Sequence, residues 1–513
     1  MRRACLIAPV CVLAAIAAAR GQDGTPLPTG EPASPGNEQP VSKRPGRDER
    51  ADELARLQRE VHESFRRRDF ASAERALRKI VELDPDGYVG WYTLACAMGW
   101  QGKTDEGAGY LKRAIETGFC DFNLMELDPN LAPVRRTALY RSIVDAWIPI
   151  LQRRIDTQVQ WARGRFGTDY ASMTDDRLRL GYVSGFDSGT FDQSRRDLTR
   201  VAEFWERTIL GSAPSASAAE GRPDPWVLVV LPRKKDYQRW AAETFGARAE
   251  TIGGVYLNEK KMLVAKDLGS TLRHEFSHAI HWRHMNRLGQ QHPMWVQEGL
   301  CSLFEDVDPM PDGSIRPVPS WRTNTAKRME RVDRLIKLEE LFAMSTAKFQ
   351  GDRTLANYAQ SRSMFLYLAQ KERLGEWYAR YCENFASDPT GARALEAVLN
   401  KPLDGFLQDF RAWLRELPEV PEEGRATSVR LPFGVDAGDG DGVRINSVVG
   451  GSAARDSGLR LGDVIESIDG RSVHDRIELM RILADFEPGQ AVDIDYRRGK
   501  VRGRSTVTLI QPR

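Results

Sequence analysis

The chain has 513 residues, which is more than one hydrophobic core usually organises, so we expect several domains. Its 74 lysines and arginines nearly balance its 72 aspartates and glutamates. This even balance gives no reason to expect nucleic acid or an acidic membrane surface as a partner.

The first segment has the pattern of an export signal. Arg2 and Arg3 precede an apolar run from Leu6 to Ile16, and three alanines offer a small-residue cleavage site. Residues 1–19 are therefore predicted to be a signal peptide. A short membrane anchor is the weaker alternative, because the apolar run is too short to cross a bilayer comfortably. We expect no stable membrane span and a periplasmic or extracellular location.

A linker and a set of helical repeats follow. Residues 20–50 are rich in proline and glycine and poor in large apolar side chains, which predicts a disordered linker. Residues 51–145 show a period of 34, in which Ala73, Leu77 and Ile80 recur as Gly107, Leu111 and Ala114. This period resembles tetratricopeptide repeats, which implies a peptide-binding groove. A structural arm packed on the next domain is the alternative.

Four cysteines lie outside the predicted signal, at positions 96, 120, 301 and 382. Four are too few for a disulfide scaffold in a chain of this length. Cys96 and Cys120 belong to adjoining helical units, where either a disulfide or two buried thiols would fit. Cys301 is interpreted as a core residue.

The most informative motif is His274-Glu275-Phe276-Ser277-His278. Apolar residues at helical spacing predict that it lies on a helix, and histidines four residues apart then share one face. Both imidazoles can bind one metal ion, while Glu275 lies beside the first of them. A surface helix with a hydrogen-bonded histidine pair is the alternative.

A second helical run supplies a third candidate ligand. It contains Trp295, Glu298 and Gly299, and nineteen residues separate Glu298 from His278. With the first motif, this pattern resembles the gluzincin clan of zinc metallopeptidases over residues 150–417. The resemblance implies a thermolysin-like α+β core in which His274, His278 and Glu298 hold one Zn²⁺ ion.

The pattern departs from thermolysin at Ser302, where that enzyme has an aspartate. Glu305 and Asp306 are candidates for the missing carboxylate that would support a ligand. His284 has the third-ligand spacing of a different family, the metzincins, but His281 occupies the position of that family's turning glycine. A continuing helix would place His284 about 15 Å along the axis from His274. We therefore expect His284 not to bind the metal.

The same resemblance assigns chemistry. Three protein ligands leave zinc one open position for water, and Glu275 would act as the general base. Tyr358 is a candidate to stabilise the developing oxyanion, with a purely structural core role as the alternative. Gly253 and Gly254 precede the motif in a predicted strand, where they either allow an extended substrate to approach or form a simple bulge.

Residues 428–513 contain Gly458-Leu459, Gly462-Asp463 and Ile465 in a pattern that resembles a PDZ domain of the bacterial protease-associated type. The resemblance implies a groove for peptide C-termini, lined by a helix over 476–485. Residues 418–427 read as a proline- and glutamate-rich linker. This separation predicts a recruiting domain that the chemistry does not need.

These interpretations combine into a multidomain α+β protein with an α-helical repeat arm, a thermolysin-like metallopeptidase core and a small β-rich PDZ domain. The predicted function is that of a secreted zinc metallopeptidase that hydrolyses peptide or protein substrates. The PDZ domain and the helical repeats would recruit the substrate or a partner. A catalytically inactive peptide-binding scaffold and a metal-dependent hydrolase of non-peptide bonds are the alternatives.

Overall fold

The computed structural model describes residues 47–211, 223–246, 249, 252–421, 429–436, 438, 440–448 and 457–511, and it combines helices with sheets. The predicted signal peptide lies outside the described residues, as does most of the predicted linker. The first described helix begins at Arg47, just before the predicted end of that linker. Within the described ranges, no helix is both long and apolar enough to cross a membrane.

The N-terminal part is entirely helical. Its helices are Arg47–Arg66 (α1), Phe70–Leu83 (α2), Tyr88–Trp100 (α3), Thr104–Glu116 (α4), Phe122–Leu127 (α5), Ala138–Asp145 (α6) and Trp147–Phe166 (α7). Helices α2 and α4 begin 34 residues apart, as the period predicts, and Leu77 and Leu111 are buried at equivalent positions. Cys96 and Cys120 are buried free thiols and do not form the disulfide that was one of the two alternatives. The tetratricopeptide assignment itself stays a prediction.

The helical arm encloses a cavity of about 600 Å³ against the next part of the chain. Leu54 and Leu77 line it from the arm, and Trp161 lines it from α7. The side chains of Arg154 and Gln158 also line it, and both donate hydrogen bonds to the carbonyl oxygen of Lys260. Asp121 of the arm also pairs with Lys261 of the sheet region at 3.0 Å. The arm is thus packed on its neighbour and still leaves a concave surface.

A five-stranded mixed sheet follows the arm. Its strands are Ala171–Asp175 (β1), Leu180–Ser184 (β2), Val227–Leu231 (β3), Gly254–Leu257 (β4) and Met262–Ala265 (β5). Their order is β1-β2-β3-β5-β4, with β2, β3 and β5 parallel and both outer strands antiparallel to their neighbours. Strand β4 therefore lies at one edge of the sheet.

The sheet separates two hydrophobic cores because its side chains alternate between its faces. Val229 and Leu263 belong to the core that contains the His274–His278 helix. Val230 and Val264 belong to the core shared with the helical arm. The sheet thus holds the arm on one face and the candidate site on the other.

Further helices and a hairpin surround the sheet. They are Ser188–Phe204 (α8), Lys234–Phe245 (α9), Ser270–Leu288 (α10), Met294–Ser302 (α11), Val307–Pro309 (β6), Ile315–Pro317 (β7), Trp321–Arg331 (α12), Leu338–Phe342 (α13), Thr346–Phe349 (α14), Thr354–Gln370 (α15), Leu374–Asn384 (α16), Ala392–Leu399 (α17) and Leu403–Glu416 (α18). Helix α10 carries the histidine motif, as predicted.

Two glycines let α10 lie close to strand β4. A Cβ atom on Gly254 would lie only 2.5 Å from Cγ2 of Thr271, and one on Gly253 would lie 3.0 Å from its Oγ1. Neither glycine has a positive φ angle. The two glycines are therefore needed because α10 packs closely against β4. The sequence itself suggested only substrate approach or a simple bulge.

The C-terminal part forms a separate antiparallel sheet around its own core. Its elements are Phe433–Val435 (β8), Val443–Val448 (β9), Val464–Ile468 (β10), Arg471–Ser472 (β11), Arg476–Leu483 (α19), Ala491–Arg498 (β12) and Val501–Thr508 (β13). The strand order is β13-β12-β10-β9-β8, and β11 pairs with β10. Helix α19 occupies the position predicted for the groove helix.

Candidate metal centre

Two imidazoles meet on one face of α10. Asp267 precedes the helix and satisfies its first N–H groups, since its carboxylate accepts hydrogen bonds from the backbone N–H groups of Gly269 and Thr271, both at 3.1 Å. One turn of helix separates His274 from His278, and their Nε2 atoms are 3.1 Å apart. Both side chains are buried.

Glu298 reaches the same point from α11. Its Oε2 atom lies 3.4 Å from Nε2 of His274 and 3.3 Å from Nε2 of His278. That oxygen is buried and accepts no hydrogen bond from any described protein group. A buried carboxylate oxygen without a donor is costly unless another positive group satisfies it.

The spacing of these three atoms fits a small divalent ion. Ligands about 2.0–2.1 Å from a tetrahedral zinc ion lie roughly 3.3 Å from one another. The three observed separations are 3.1, 3.3 and 3.4 Å. The donor set, two imidazoles and one carboxylate, is also one that suits zinc.

The electrostatics of the cluster favour a cation. Burial by itself would lower the pKa of His274, but its contacts with Glu298 and Glu305 raise that pKa to about 10. Burial would raise the pKa of Glu298, yet the two histidines hold it below the usual range. The carboxylates therefore stabilise positive charge at the imidazoles, whether a proton or a metal ion carries it.

A carboxylate supports the first histidine from behind. Oε1 of Glu305 lies 3.0 Å from Nδ1 of His274. The Arg322 guanidinium donates to both oxygens of Glu305, at 2.6 and 2.9 Å. Of the two candidates for the missing aspartate, Glu305 is the one that contacts the candidate ligand His274, whereas Asp306 faces Arg481 at 3.5 Å. Such partners set the tautomer and orientation of a metal-binding imidazole.

Cys301 has a role that the sequence interpretation missed. Its side chain is buried, as expected for a core residue, but its Sγ atom lies 3.3 Å from Nδ1 of His278. Burial raises the pKa of this thiol well above its usual value. Cys301 follows Glu298 by three residues, and that helical spacing was the available signal for a contact near the metal site.

Glu275 lies near both the candidate ligands and the edge strand β4. It is buried, and burial raises its pKa, while the nearby His274 and His278 lower it. The backbone N–H of Tyr256 in β4 is also close enough to lower that pKa. Because β4 is the outermost strand, Glu275 lies close to an edge of the sheet as well as to the three candidate ligand atoms.

Tyr358 lies in α15 and touches the cluster. Its ring hydroxyl lies close to Glu298, and burial followed by the charge of that carboxylate raises the pKa of Tyr358. Arg322 lies over its ring, 5.1 Å from the centroid. The structure thus brings Tyr358 to a candidate ligand, a contact that the sequence did not indicate.

The remaining histidines of α10 have other partners. The helix continues without a break to Leu288, as expected from the absence of a turning glycine. Nδ1 of His284 lies 2.9 Å from the hydroxyl of Tyr378, and Nε2 of His281 lies 2.9 Å from Nδ1 of His292. His284 is therefore directed away from the three ligand atoms.

Two segments of the chain match family models. Residues 423–509 match the PDZ domain, which confirms the prediction for the C-terminal part. Residues 269–389 match a family described as "Protein of unknown function (DUF1570)". This second segment contains every candidate ligand together with Glu275 and Tyr358.

Similarity to individual known proteins is limited. Over 80 residues the chain is 40% identical to the magnetosome formation protease MamE of Magnetospirillum gryphiswaldense, a match that covers 15% of this chain and 10% of MamE. A serine endoprotease from Yersinia pestis has a TM-score of 0.15 at 17% identity, covering 22% of this chain and 37% of that chain.

An aminopeptidase N family protein from Idiomarina loihiensis has a TM-score of 0.27 at 14% identity, covering 67% of each chain. At these scores neither solved structure establishes a shared fold. The chain spans a tenth of the length of MamE and little more than a third of the Yersinia protein. Residues 423–509 form a PDZ domain, and residues 269–389 are similar to a family of unknown function.

Proposed function

We propose that this protein is an exported zinc-dependent peptidase with a gluzincin-like core. His274, His278 and Glu298 are the proposed zinc ligands, and Glu275 is the proposed general base. The observation that carries the proposal is the convergence of three buried ligand atoms at 3.1–3.4 Å from one another, one of them a carboxylate oxygen without a hydrogen-bond donor.

Each residue has a defined task in this proposal. When bound, zinc supplies a Lewis acid that polarises a carbonyl group and activates water near neutral pH. Glu275 accepts the proton of that water and later donates it to the leaving amine. Glu305 and Cys301 hold the two imidazoles in orientation.

The outer edge of strand β4 is the proposed substrate-binding strand. An extended peptide can pair with it through backbone hydrogen bonds, as in strand addition. Tyr256, whose backbone N–H lies near Glu275, belongs to this edge, so a paired peptide bond would lie close to the base. This arrangement favours an extended peptide or unfolded protein segment as substrate.

The PDZ domain and the helical arm are the proposed recruiting elements. PDZ domains bind peptide C-termini by strand addition, with the carboxylate held by backbone N–H groups. In the helical arm, the cavity of about 600 Å³ offers a second concave surface. Both would increase the local concentration of a substrate or partner near the core.

Zinc content and cleavage-site profiling of the purified protein test this function. We expect stoichiometric zinc and cleavage of a protein mixture at peptide bonds, with both lost after exhaustive chelation and restored by zinc. Zinc without any hydrolysis would favour the inactive scaffold. Zinc with hydrolysis of ester or amide dyes but not of proteins would favour a hydrolase of non-peptide bonds.

A further inference from the structure

The PDZ domain is docked on the candidate catalytic part of the chain. Leu268, two residues before α10, donates its backbone N–H to the carbonyl oxygen of Gly440 at 3.0 Å. Gln193 donates to the hydroxyl of Ser472 at 2.6 Å. These contacts differ from the independent, linker-separated domain that the sequence predicted.

A buried ion pair lies at the centre of this interface. Arg273 donates to Oε1 of Glu478 at 2.7 Å, and each side chain is only 6% exposed. Glu478 belongs to α19, and its second oxygen accepts from the backbone N–H of His474 at 2.9 Å and lies 2.7 Å from Nδ1 of the same residue. Both oxygens of the carboxylate are thus engaged.

The other hydrogen bonds of Arg273 lead to the metal centre. Its guanidinium donates to the carbonyl oxygens of Phe304 and Glu305, at 2.8 and 2.7 Å. The carboxylate of Glu305 is the group that lies against His274. Arg273 also immediately precedes His274 in α10, so it is connected to this ligand both along the chain and through space.

Arg273 needs its partner because a buried charge without a counter-ion is strongly unfavourable. Two backbone carbonyls satisfy part of its hydrogen-bonding capacity, and Glu478 is the carboxylate that pairs with it directly. Asp197 and Asp306 lie farther away and add weaker stabilisation of the same charge. Burial would raise the pKa of Glu478, yet His474 and Arg273 hold it below the usual range. The pair is therefore ionised on both sides at neutral pH.

From these contacts we propose that Glu478 of the PDZ domain is a positioning residue for the metal centre. It holds the Arg273 guanidinium, which holds the backbone of Glu305, whose carboxylate orients His274. This inference rests on the proposed zinc site and adds a contribution to it from another domain. It also provides a physical route by which an event at α19, the predicted groove helix, changes zinc binding.

The test compares two carboxylate-to-amide changes in one interface, made in the full-length protein. Glu478→Gln removes the charge that faces Arg273. Asp308→Asn is the matched control, because Asp308 accepts from PDZ residues Arg471 and Arg481 at 3.0 and 2.7 Å without contacting α10. Zinc affinity is measured by competition with a chelator, and the visible absorption spectrum is recorded after cobalt(II) substitution.

Glu478→Gln should weaken zinc binding by about 10-fold and change the cobalt spectrum. This is the lower end of the loss in metal affinity seen when a group that supports a metal ligand is replaced. Asp308→Asn should leave both unchanged even if it lowers the melting temperature. In an Arg273→Met background, Glu478→Gln should have little further effect, since it acts through Arg273. If Arg273→Met does not fold, the comparison of Glu478→Gln with Asp308→Asn still tests whether Glu478 positions the metal centre.

Wild-type zinc affinity and cobalt spectrum in Glu478→Gln would overturn this proposal alone. Equal losses of zinc affinity in Glu478→Gln and Asp308→Asn would also overturn it, because they would indicate general loosening of the domain interface. A wild-type protein that binds no zinc would overturn the proposed function and this proposal together.

Discussion

Glu298 is the residue whose replacement would distinguish the proposed gluzincin-like site from its alternatives. Its Oε2 atom is within 3.4 Å of both histidine Nε2 atoms, whereas His284 contacts Tyr378. Glu298→Ala should therefore weaken zinc binding by more than the roughly 10–100-fold that an outer partner contributes. His284→Ala should keep the zinc content. The opposite pattern in metal analysis would exclude Glu298 as third ligand.

Glu275 differs from the ligands in what its replacement should do. Glu275→Gln keeps the size of the side chain but cannot accept the proton of water. We expect unchanged zinc content and a fall in kcat of about 10²–10⁴-fold, the usual contribution of a general base. Metal analysis and steady-state peptide cleavage measure the two quantities. Turnover near the wild-type rate would require another base.

Two alternative roles of the Tyr358 hydroxyl can be distinguished with one variant. If its hydroxyl stabilises the oxyanion, Tyr358→Phe should lower kcat by about 10²-fold while KM and zinc affinity stay close to wild type. If the hydroxyl only orients the nearby carboxylate of Glu298, zinc affinity should fall instead. Measuring kcat, KM and zinc affinity on one variant distinguishes them, and no change in any of them would leave Tyr358 as a core residue.

At the level of elements, the N-terminus of α19 carries a pH-dependent contribution. Asp475 caps this helix by accepting from the backbone N–H of Glu478 at 2.8 Å. Burial, with the nearby Glu478 carboxylate, raises the pKa of Asp475 from 3.8 to about 7. Between these two values the unfolded chain loses its proton first, so the free energy of unfolding falls as pH rises.

Asp475→Asn should reduce this loss, since an asparagine also caps a helix but does not ionise. From pH 4 to 7, the wild type should lose on the order of 1 kcal/mol per pH unit relative to the variant. Chemical denaturation of both proteins at several pH values measures the difference. A difference that does not vary with pH would show that Asp475 keeps its ordinary pKa.

At the level of the whole molecule, the docked PDZ domain determines how the chain behaves after a break in the connecting segment. A specific protease site inserted within 422–428 would allow the chain to be cut after folding. We expect the C-terminal fragment to co-elute with the rest in size-exclusion chromatography at low salt, because the buried Arg273–Glu478 pair and the Asp308 contacts hold it.

Glu478→Gln should promote dissociation of the cut protein, since it leaves the Arg273 charge unpaired. If the two fragments of the cut wild-type protein separate completely, and the larger fragment keeps its zinc, the result would instead support the independent recruiting domain. The same experiment thus decides between docking and simple tethering.

The sequence by itself determined the local features of this protein. Histidines four residues apart must share a helix face, so the His274–His278 pair could be predicted from helix geometry alone. The 34-residue period correctly indicated helices that begin 34 residues apart, and the glycine-rich pattern near Gly462 indicated the PDZ domain. Each of these signals lies within one element or one repeat, where spacing along the chain sets spacing in the structure.

Only the tertiary structure decided which distant residues support those features. Glu305 rather than Asp306 meets His274, Cys301 meets His278, and Tyr358 meets Glu298. Arg273 and Glu478 are separated by 205 positions in sequence. Such contacts depend on how helices, sheet and PDZ domain pack together. Side-chain spacing within one element gives at most the face of a helix on which a residue lies, as for Cys301 after Glu298, and does not give its partner.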